Sequence, residues 1–378
     1  MLVKFIDLDK QREQISHSLI DRICNVVRSN QFILGPEVDE LESRLASYLN
    51  VKNVVTCGNG TDALRISLLA LGIGQGDAVF CPSFTFAATA ESICLVGATP
   101  VFVDTQEDHT MSVDDLRLAY DHTVTATKLT PRAVMPVDLF GMPADYTEIK
   151  SFCIEHDLRL VVDAAQSIGG EYNGQKCGTI GELNATSFYP SKPLSCYGDG
   201  GAIMTNDDYL ASLAKSIRFH GKGDSQYDNQ RIGMTSRLDT IQAAILLEKL
   251  TIFPLERERR NEIQNAYLQC LPSPVRYAHH ANNKHSGLAL FTVSSPRRDE
   301  LRKWLSDRNI PTMVYYKKPL HLQPAYHMHP ISPSMLPNTQ SAADSVISLP
   351  FHPYLSRAAV EYICDSIAAF YRAYPPEM

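Results

Sequence analysis

Between about residue 50 and residue 205 the chain repeats one pattern: a short β-branched run, a turn, then a segment with apolar residues at helical spacing. The runs fall at 54–57, 78–81, 101–104, 133–137, 158–163, 186–189 and 202–205. Strands that alternate with helices pair into a mostly parallel sheet covered on both faces. The expected fold class is therefore α/β. Ligands in such sheets bind beyond the carboxyl ends of the strands, so the turns after each run are where chemistry is sought.

The 378 residues exceed a typical domain of roughly 100–200 residues, which predicts two domains. Residues 237–270 read as a long helix interrupted at Pro254, and beyond it the pattern changes to a smaller α/β unit with Pro/His-rich loops. The expected division is 1–254, a large domain with an N-terminal arm, and 255–378, a small C-terminal domain. Residues 31–50 read as a turn at Gly35-Pro36 and then an amphipathic helix with Glu37, Asp39 and Glu40 in its first turn.

A net charge of −7 opposes electrostatic binding of nucleic acid. The nine cysteines are scattered and none forms a C-x-x-C pair, so neither a disulfide framework nor a zinc site is expected. Unpaired thiols suit a reducing cytoplasm. No apolar run approaches the ~20 residues of a membrane span, and the N-terminus turns polar too early for a signal peptide.

Four turns carry chemistry. In "VVTCGNGTDALRI" a strand ends at Cys57 and a helix begins near Thr61. Gly60 allows close backbone approach and Thr61 adds a hydroxyl, a cradle for phosphate at a helix N-terminus. The same stretch reads as G-x-G-x-x-A, a dinucleotide fingerprint, although the next run ends in Phe80-Cys81-Pro82 without the acidic residue that fingerprint needs. In "CPSFTFAAT", Phe84 and Phe86 follow a strand, where a ring can stack on a flat cofactor or simply pack in the core. In "LRLVVDAAQSIGG" an apolar strand ends in Asp163, with Gln166 three residues on. A carboxylate there can keep a pyridinium nitrogen protonated; a helix N-cap is the plainer role. In "TSFYPSKPLSCYGDGG", Ser187 ends a strand and Lys192 lies between two prolines, placed for a Schiff base and for proton transfer.

Together these segments resemble the DegT-type sugar-nucleotide aminotransferases, fold-type I enzymes of pyridoxal 5'-phosphate. The resemblance covers nearly the whole chain, through "FIDL", "ILGPEVDELE", "NGTDAL", "PSFTFAATAE", "VDAAQSIG", "SFYPSKPLSCYGDGGAIMTND", "RFHGK", "SRLDTIQAAIL" and "SLPFHPYL". It implies a large domain with a mostly parallel seven-stranded sheet between helices, a smaller C-terminal α/β domain, and a homodimer with shared active sites. It implies that Lys192 forms the Schiff base, Asp163 faces the pyridinium nitrogen and Gln166 the phenolic oxygen. Phe86 would stack on the ring, and Gly60, Thr61 and Ser187 would surround the phosphate. The implied reaction moves an amino group from L-glutamate to a keto nucleotide sugar in surface-polysaccharide (lipopolysaccharide) synthesis. The implied sugar is UDP-2-acetamido-2-deoxy-3-oxo-glucuronate, with a 4-keto-6-deoxy nucleotide sugar as the alternative.

Two positions depart from the family pattern. Thr235 stands where the family has an asparagine that reaches the phosphate from the neighbouring subunit, and Tyr315-Tyr316 stands where a His-Tyr pair is usual. Lys192 matches, unlike relatives that carry histidine there and dehydrate instead. Arg237 suits a substrate or donor carboxylate, or an ion pair at a subunit boundary. His321, with His327 and His329, is read as part of a loop lining the substrate entrance, with no metal expected. Two readings compete: a nicotinamide-dependent oxidoreductase built on Gly58-Asn59-Gly60, and a non-catalytic relative acting as regulator or scaffold.

Overall fold

Leu160 and Val162 face one core cluster, while Val161 between them faces another. Both faces of that strand are buried, which is why its sequence is continuously apolar instead of alternating. Burying each such side chain contributes about 1.5–3 kcal/mol relative to leaving it in water. The protein is described by a computed structural model over residues 3–375 except 226, 279 and 280.

The first nine strands are β1 (Asn53–Cys57), β2 (Asp77–Pro82), β3 (Thr99–Val103), β4 (Thr130–Val134), β5 (Arg159–Asp163), β6 (Glu171–Tyr172), β7 (Gln175–Lys176), β8 (Leu183–Ser187) and β9 (Gly201–Thr205). Seven of them form one sheet in the order β1-β9-β8-β5-β4-β2-β3. Pairs among β3, β2, β4, β5 and β8 are parallel, and β9 runs against both β8 and β1. The seven apolar runs thus all become strands of the mostly parallel sheet.

Two runs shift. The run at 133–137 yields β4 at Thr130–Val134, because Pro136 has no N–H to continue the ladder. The run at 186–189 yields β8 from Leu183, because Asn184 turns its side chain onto Gly181 and the Met204 carbonyl and so tolerates burial inside a strand.

The helices around this sheet are α1 (Leu8–Ser29), α2 (Pro36–Leu49), α3 (Gly60–Ala70), α4 (Ala87–Leu95), α5 (Val113–Ala126), α6 (Tyr146–Glu155) and α7 (Asp208–Ile217). Pro36 opens α2, with Glu37 and Asp39 in the first turn, as its sequence indicates. α8 (Thr240–Cys270) is one helix with Pro254 inside it, where an interruption is expected. The proline forfeits one amide donor, but the flanking turns are held on both sides. Leu246, Leu247 and Phe253 pack in the cluster beneath β9 and α2, and Ile263 and Tyr267 pack in the C-terminal cluster. Residue 254 therefore lies within a helix that serves two cores.

The C-terminal part contains β10 (Arg276–Tyr277), β11 (Lys284–His285), β12 (Phe291–Ser294), β13 (Val346–Leu349), α9 (Arg298–Ser306), α10 (Pro337–Ser345) and α11 (Arg357–Ala373). β10, β12 and β13 form an antiparallel sheet, and β11 pairs with β6 of the first part. Its core is aromatic: the Phe291 ring lies between Tyr267 (4.5 Å) and Tyr277 (4.8 Å), stacked on both.

Candidate active site

Cys57 of β1 and Ser187 of β8 both pair with Gly201 of β9, so the turns that follow β1 and β8 leave from one edge of the sheet. Asp163, at the end of β5, pairs with Ala185 next door. The sheet register thus gathers three of the four chemistry-bearing turns.

The turn after β1 opens α3. Asn59 caps the helix by accepting the Asp62 amide (2.8 Å), and the other first-turn amides lack intrahelical partners. A Cβ on Gly60 would stand 2.8 Å from the Ser187 Cβ, so only glycine lets this helix start come so close to β8. Gly60, Thr61 and Ser187 are brought together, with Thr61 half-buried.

Asp163 is buried, and its carboxylate accepts from Thr89 Oγ1 (2.8 Å) and the Ala165 amide (3.2 Å). Burial raises its pKa against the opposing pull of Thr89, Ala165 and Lys192. Lys192 shows the converse: burial lowers its pKa, and the nearby Asp163 only partly offsets this. Its backbone amide donates to the Tyr189 carbonyl (2.8 Å), and the loop is closed where the Phe188 carbonyl accepts from Cys196 and the Phe188 amide donates to Gly200. An amine whose charge is disfavoured by burial, with a carboxylate near it, is the arrangement a nucleophile or a base needs.

Gln166 is buried and its Oε1 accepts from the Phe140 amide (2.8 Å); its side chain also meets the Tyr316 hydroxyl. The two phenylalanines of "CPSFTFAAT" part ways. Phe84 is fully buried, while Phe86 at the start of α4 is 56% exposed with its ring 6.2 Å from that of Tyr316. Tyr315 is half-buried and meets Tyr316 edge-on.

Thr235 is exposed, with Oγ1 2.8 Å from His220 Nε2. Arg237 lays its guanidinium over the Phe219 ring (5.1 Å), and no carboxylate among the described residues pairs with it. Between them, Ser236 accepts from the Gly58 amide (2.9 Å) and donates to Asp62 (2.7 Å), tying this segment to the start of α3. His321 lies in the short helical turn Leu320–Leu322. It is buried against Ser83, Nδ1 2.7 Å from the hydroxyl, at the end of β2. Thr89 and Ser236 have no signal in the sequence: one is a threonine on a helix, the other a serine distant in the chain from what it holds.

The arrangement fits pyridoxal phosphate: a glycine-lined helix start, a buried carboxylate held from behind, an exposed aromatic ring and a half-buried lysine. Comparison with known proteins agrees. The model of the DegT/DnrJ/EryC1/StrS aminotransferase family matches residues 13–368. A UDP-2-acetamido-2-deoxy-3-oxo-D-glucuronate aminotransferase of Pseudomonas aeruginosa is 41% identical over 97% of this chain and 99% of its own length. The crystal structure of a DegT DnrJ EryC1 StrS aminotransferase from Brucella abortus superposes with a TM-score of 0.95 at 49% identity, covering 97% of this chain and 99% of that one. That of S. venezuelae DesV gives 0.92 at 36% identity, with full coverage of both. Other relatives are named for dTDP- and GDP-linked sugars. These likenesses set aside the nicotinamide reading of Gly58-Asn59-Gly60. The chain belongs to the DegT/DnrJ/EryC1/StrS aminotransferase family and is a pyridoxal phosphate-dependent sugar aminotransferase.

Proposed function

We propose that this enzyme transfers the amino group of L-glutamate to a keto nucleotide sugar, and that the sugar is UDP-2-acetamido-2-deoxy-3-oxo-glucuronate. Transamination is supported by the placement of Lys192 and of Asp163, held by Thr89 at 2.8 Å, at one sheet edge, and the choice of sugar by the 41% identity to the Pseudomonas aeruginosa enzyme. Pyridoxal phosphate, when bound, supplies an electron sink for the carbon that loses its proton. Lys192 Nζ takes a proton from the α-carbon of the donor and returns one to the sugar carbon that gains nitrogen. Asp163, aimed by Thr89, holds the pyridine nitrogen. Gln166 orients the phenolic oxygen, and Phe86 covers the ring face. Gly60, Thr61 and Ser187 bind the phosphate.

Arg237, with no carboxylate partner among the described residues, receives the carboxylate of donor or sugar acid, and Tyr315 borders the sugar. His321 acts from behind that surface, through Ser83. Thr235 reaches the phosphate of a second copy in a homodimer. The large exposed apolar residues Tyr227 (89%) and Ile232 (94%) beside it support burial of this segment against a partner.

The test is direct. L-glutamate added to the cofactor-loaded protein must shift its visible absorption band, and an unchanged band overturns transamination. A panel of 3-keto and 4-keto nucleotide sugars, read by mass spectrometry, must show the 3-keto glucuronate as the fastest acceptor. Light scattering must give the mass of two chains.

A further inference from the structure

Lys249, in the middle of α8, is 2% exposed. No carboxylate among the described residues bonds to it, although burying an unpaired ammonium is costly. What surrounds it is the loop that carries Lys192. Its Nζ donates to Ser195 Oγ (3.3 Å) and stands 4.0 Å from the centroid of the Tyr197 ring. Ser195 is itself buried.

The neighbours on the helix continue the pattern. Gln242, seven residues earlier, accepts the Tyr197 amide through Oε1 (3.0 Å). Glu256, seven residues later, accepts from Gln11 of α1 (3.0 Å) and from the Tyr354 hydroxyl (2.6 Å). A spacing of seven keeps these side chains on one helix face. α8 therefore presents a polar stripe running from the Lys192 loop to α1 and to the loop before α11. Lys249 and Gln242 both turn to the Lys192 loop, and Lys249 is the charged one of the two. The groups that act on it electrostatically are Cys196 of the loop and Glu256 of its own helix; Arg12 of α1 and Glu256 act on Tyr197. Burial lowers the Lys249 pKa to about 8, with Cys196 and Glu256 opposing, so the amine is charged at neutral pH and loses its proton just above.

We propose that Lys249 is a positioning residue for the reaction: its ammonium, seated on the Tyr197 ring and donating to Ser195, holds the 188–200 loop where the Lys192 amine stays beside Asp163. An ammonium kept in the core without a carboxylate costs stability, and a tyrosine face with one hydroxyl returns only part of that cost. The position serves the loop at the expense of the fold.

This inference rests on reading Lys192 as the reacting amine. The experiment adds pyridoxal phosphate and borohydride to the full chain and measures the rate at which Lys192 is trapped, by peptide mass. Trapping at another lysine in the parent overturns the Lys192 reading itself, separately from the role of Lys249. Lys249→Met keeps the stem and removes the charge. It should melt no lower than the parent yet be trapped about tenfold more slowly or worse, the scale expected when a reacting group is displaced. Lys249→Arg should recover part of the rate. In the parent the pH profile of trapping should carry an inflection at about 8 that Lys249→Met lacks. Trapping within about twofold of the parent overturns the proposal, and so does a fall in melting temperature that accounts for the lost rate. Tyr197→Leu, which keeps the ammonium and removes the ring, must slow trapping too; a parent-like rate in that variant overturns the proposal independently.

Discussion

Two regions of this enzyme bury charge, and they do so in opposite ways. In the clamp between α2 and the end of α7, Glu42 Oε1 accepts from the Thr56 amide and hydroxyl (both 2.8 Å) and from Arg218 Nη1 (2.6 Å), which also donates to the Thr56 carbonyl. Charge and hydrogen bonds close on themselves there. At the carboxyl edge of the sheet, buried Asp163 and half-buried Lys192 form no direct ion pair, and their pKa values move in the directions that favour their neutral forms. A closed pair is structure. An open one retains capacity for a ligand, and the free protein bears the cost of keeping it.

The sharpest way to break this comparison is at Lys192. Lys192→Ala should lower aminotransferase activity by about 10²–10⁴-fold, measured as product per unit time, while thermal stability holds or rises because a partly desolvated amine is gone. A fall in stability matching the fall in rate would place Lys192 with the closed region instead. In the clamp, Arg218→Met should do the reverse. It strands Glu42 in the interior and should cost about 3–5 kcal/mol in denaturant unfolding, with the kinetics of the remaining folded enzyme nearly unchanged. Gly60→Ala comes next. Its Cβ would meet Ser187 at 2.8 Å, and the overpacking should weaken cofactor binding by about 1–3 kcal/mol, read by fluorescence titration.

The smallest expected effect is at Thr89. Thr89→Val removes one donor to Asp163 and should cost about 1 kcal/mol of the stabilisation of its carboxylate, seen as a further rise in the pH at which cofactor binding sets in. The pH dependence of stability carries opposite signs in paired and unpaired sites. Asp163 has a raised folded pKa, so its contribution weakens as pH rises from the ordinary carboxylate range through that value. Asp108 is held low: burial alone would raise it, but Lys284 at 2.8 Å outweighs burial, so its contribution is lost as pH falls through its folded pKa. Asp108→Asn should therefore flatten the acid limb of the stability curve, and Asp163→Asn should steepen it.

Much of the site was legible because its parts are local. A run such as Leu160-Val161-Val162 declares a doubly buried strand, and a polar residue directly after it must lie at the strand's end. Asp163 and Ser187 are of this kind, and Lys192 follows within one loop. Thr89 was not legible, because the bond that makes it matter crosses 74 residues to Asp163. Nor was Ser236, whose partner Asp62 is 174 residues away. His321 shows the same limit from the other side: a Pro/His-rich stretch reads as a loop at the substrate entrance, and only the fold shows that Ser83 bonds the buried imidazole. Pro254 reads as a break, yet packing of the flanking turns into two cores carries α8 through it.

By itself the sequence determined the class of fold and the chemistry available to it, since hydrophobic period and residue type act over a few neighbouring positions. The tertiary structure alone decided which charges are closed and which are left open. Burial and partner geometry arise only when distant segments meet, and packing of the Lys192 loop between sheet and α8 is what lowers the pKa of an ordinary loop lysine.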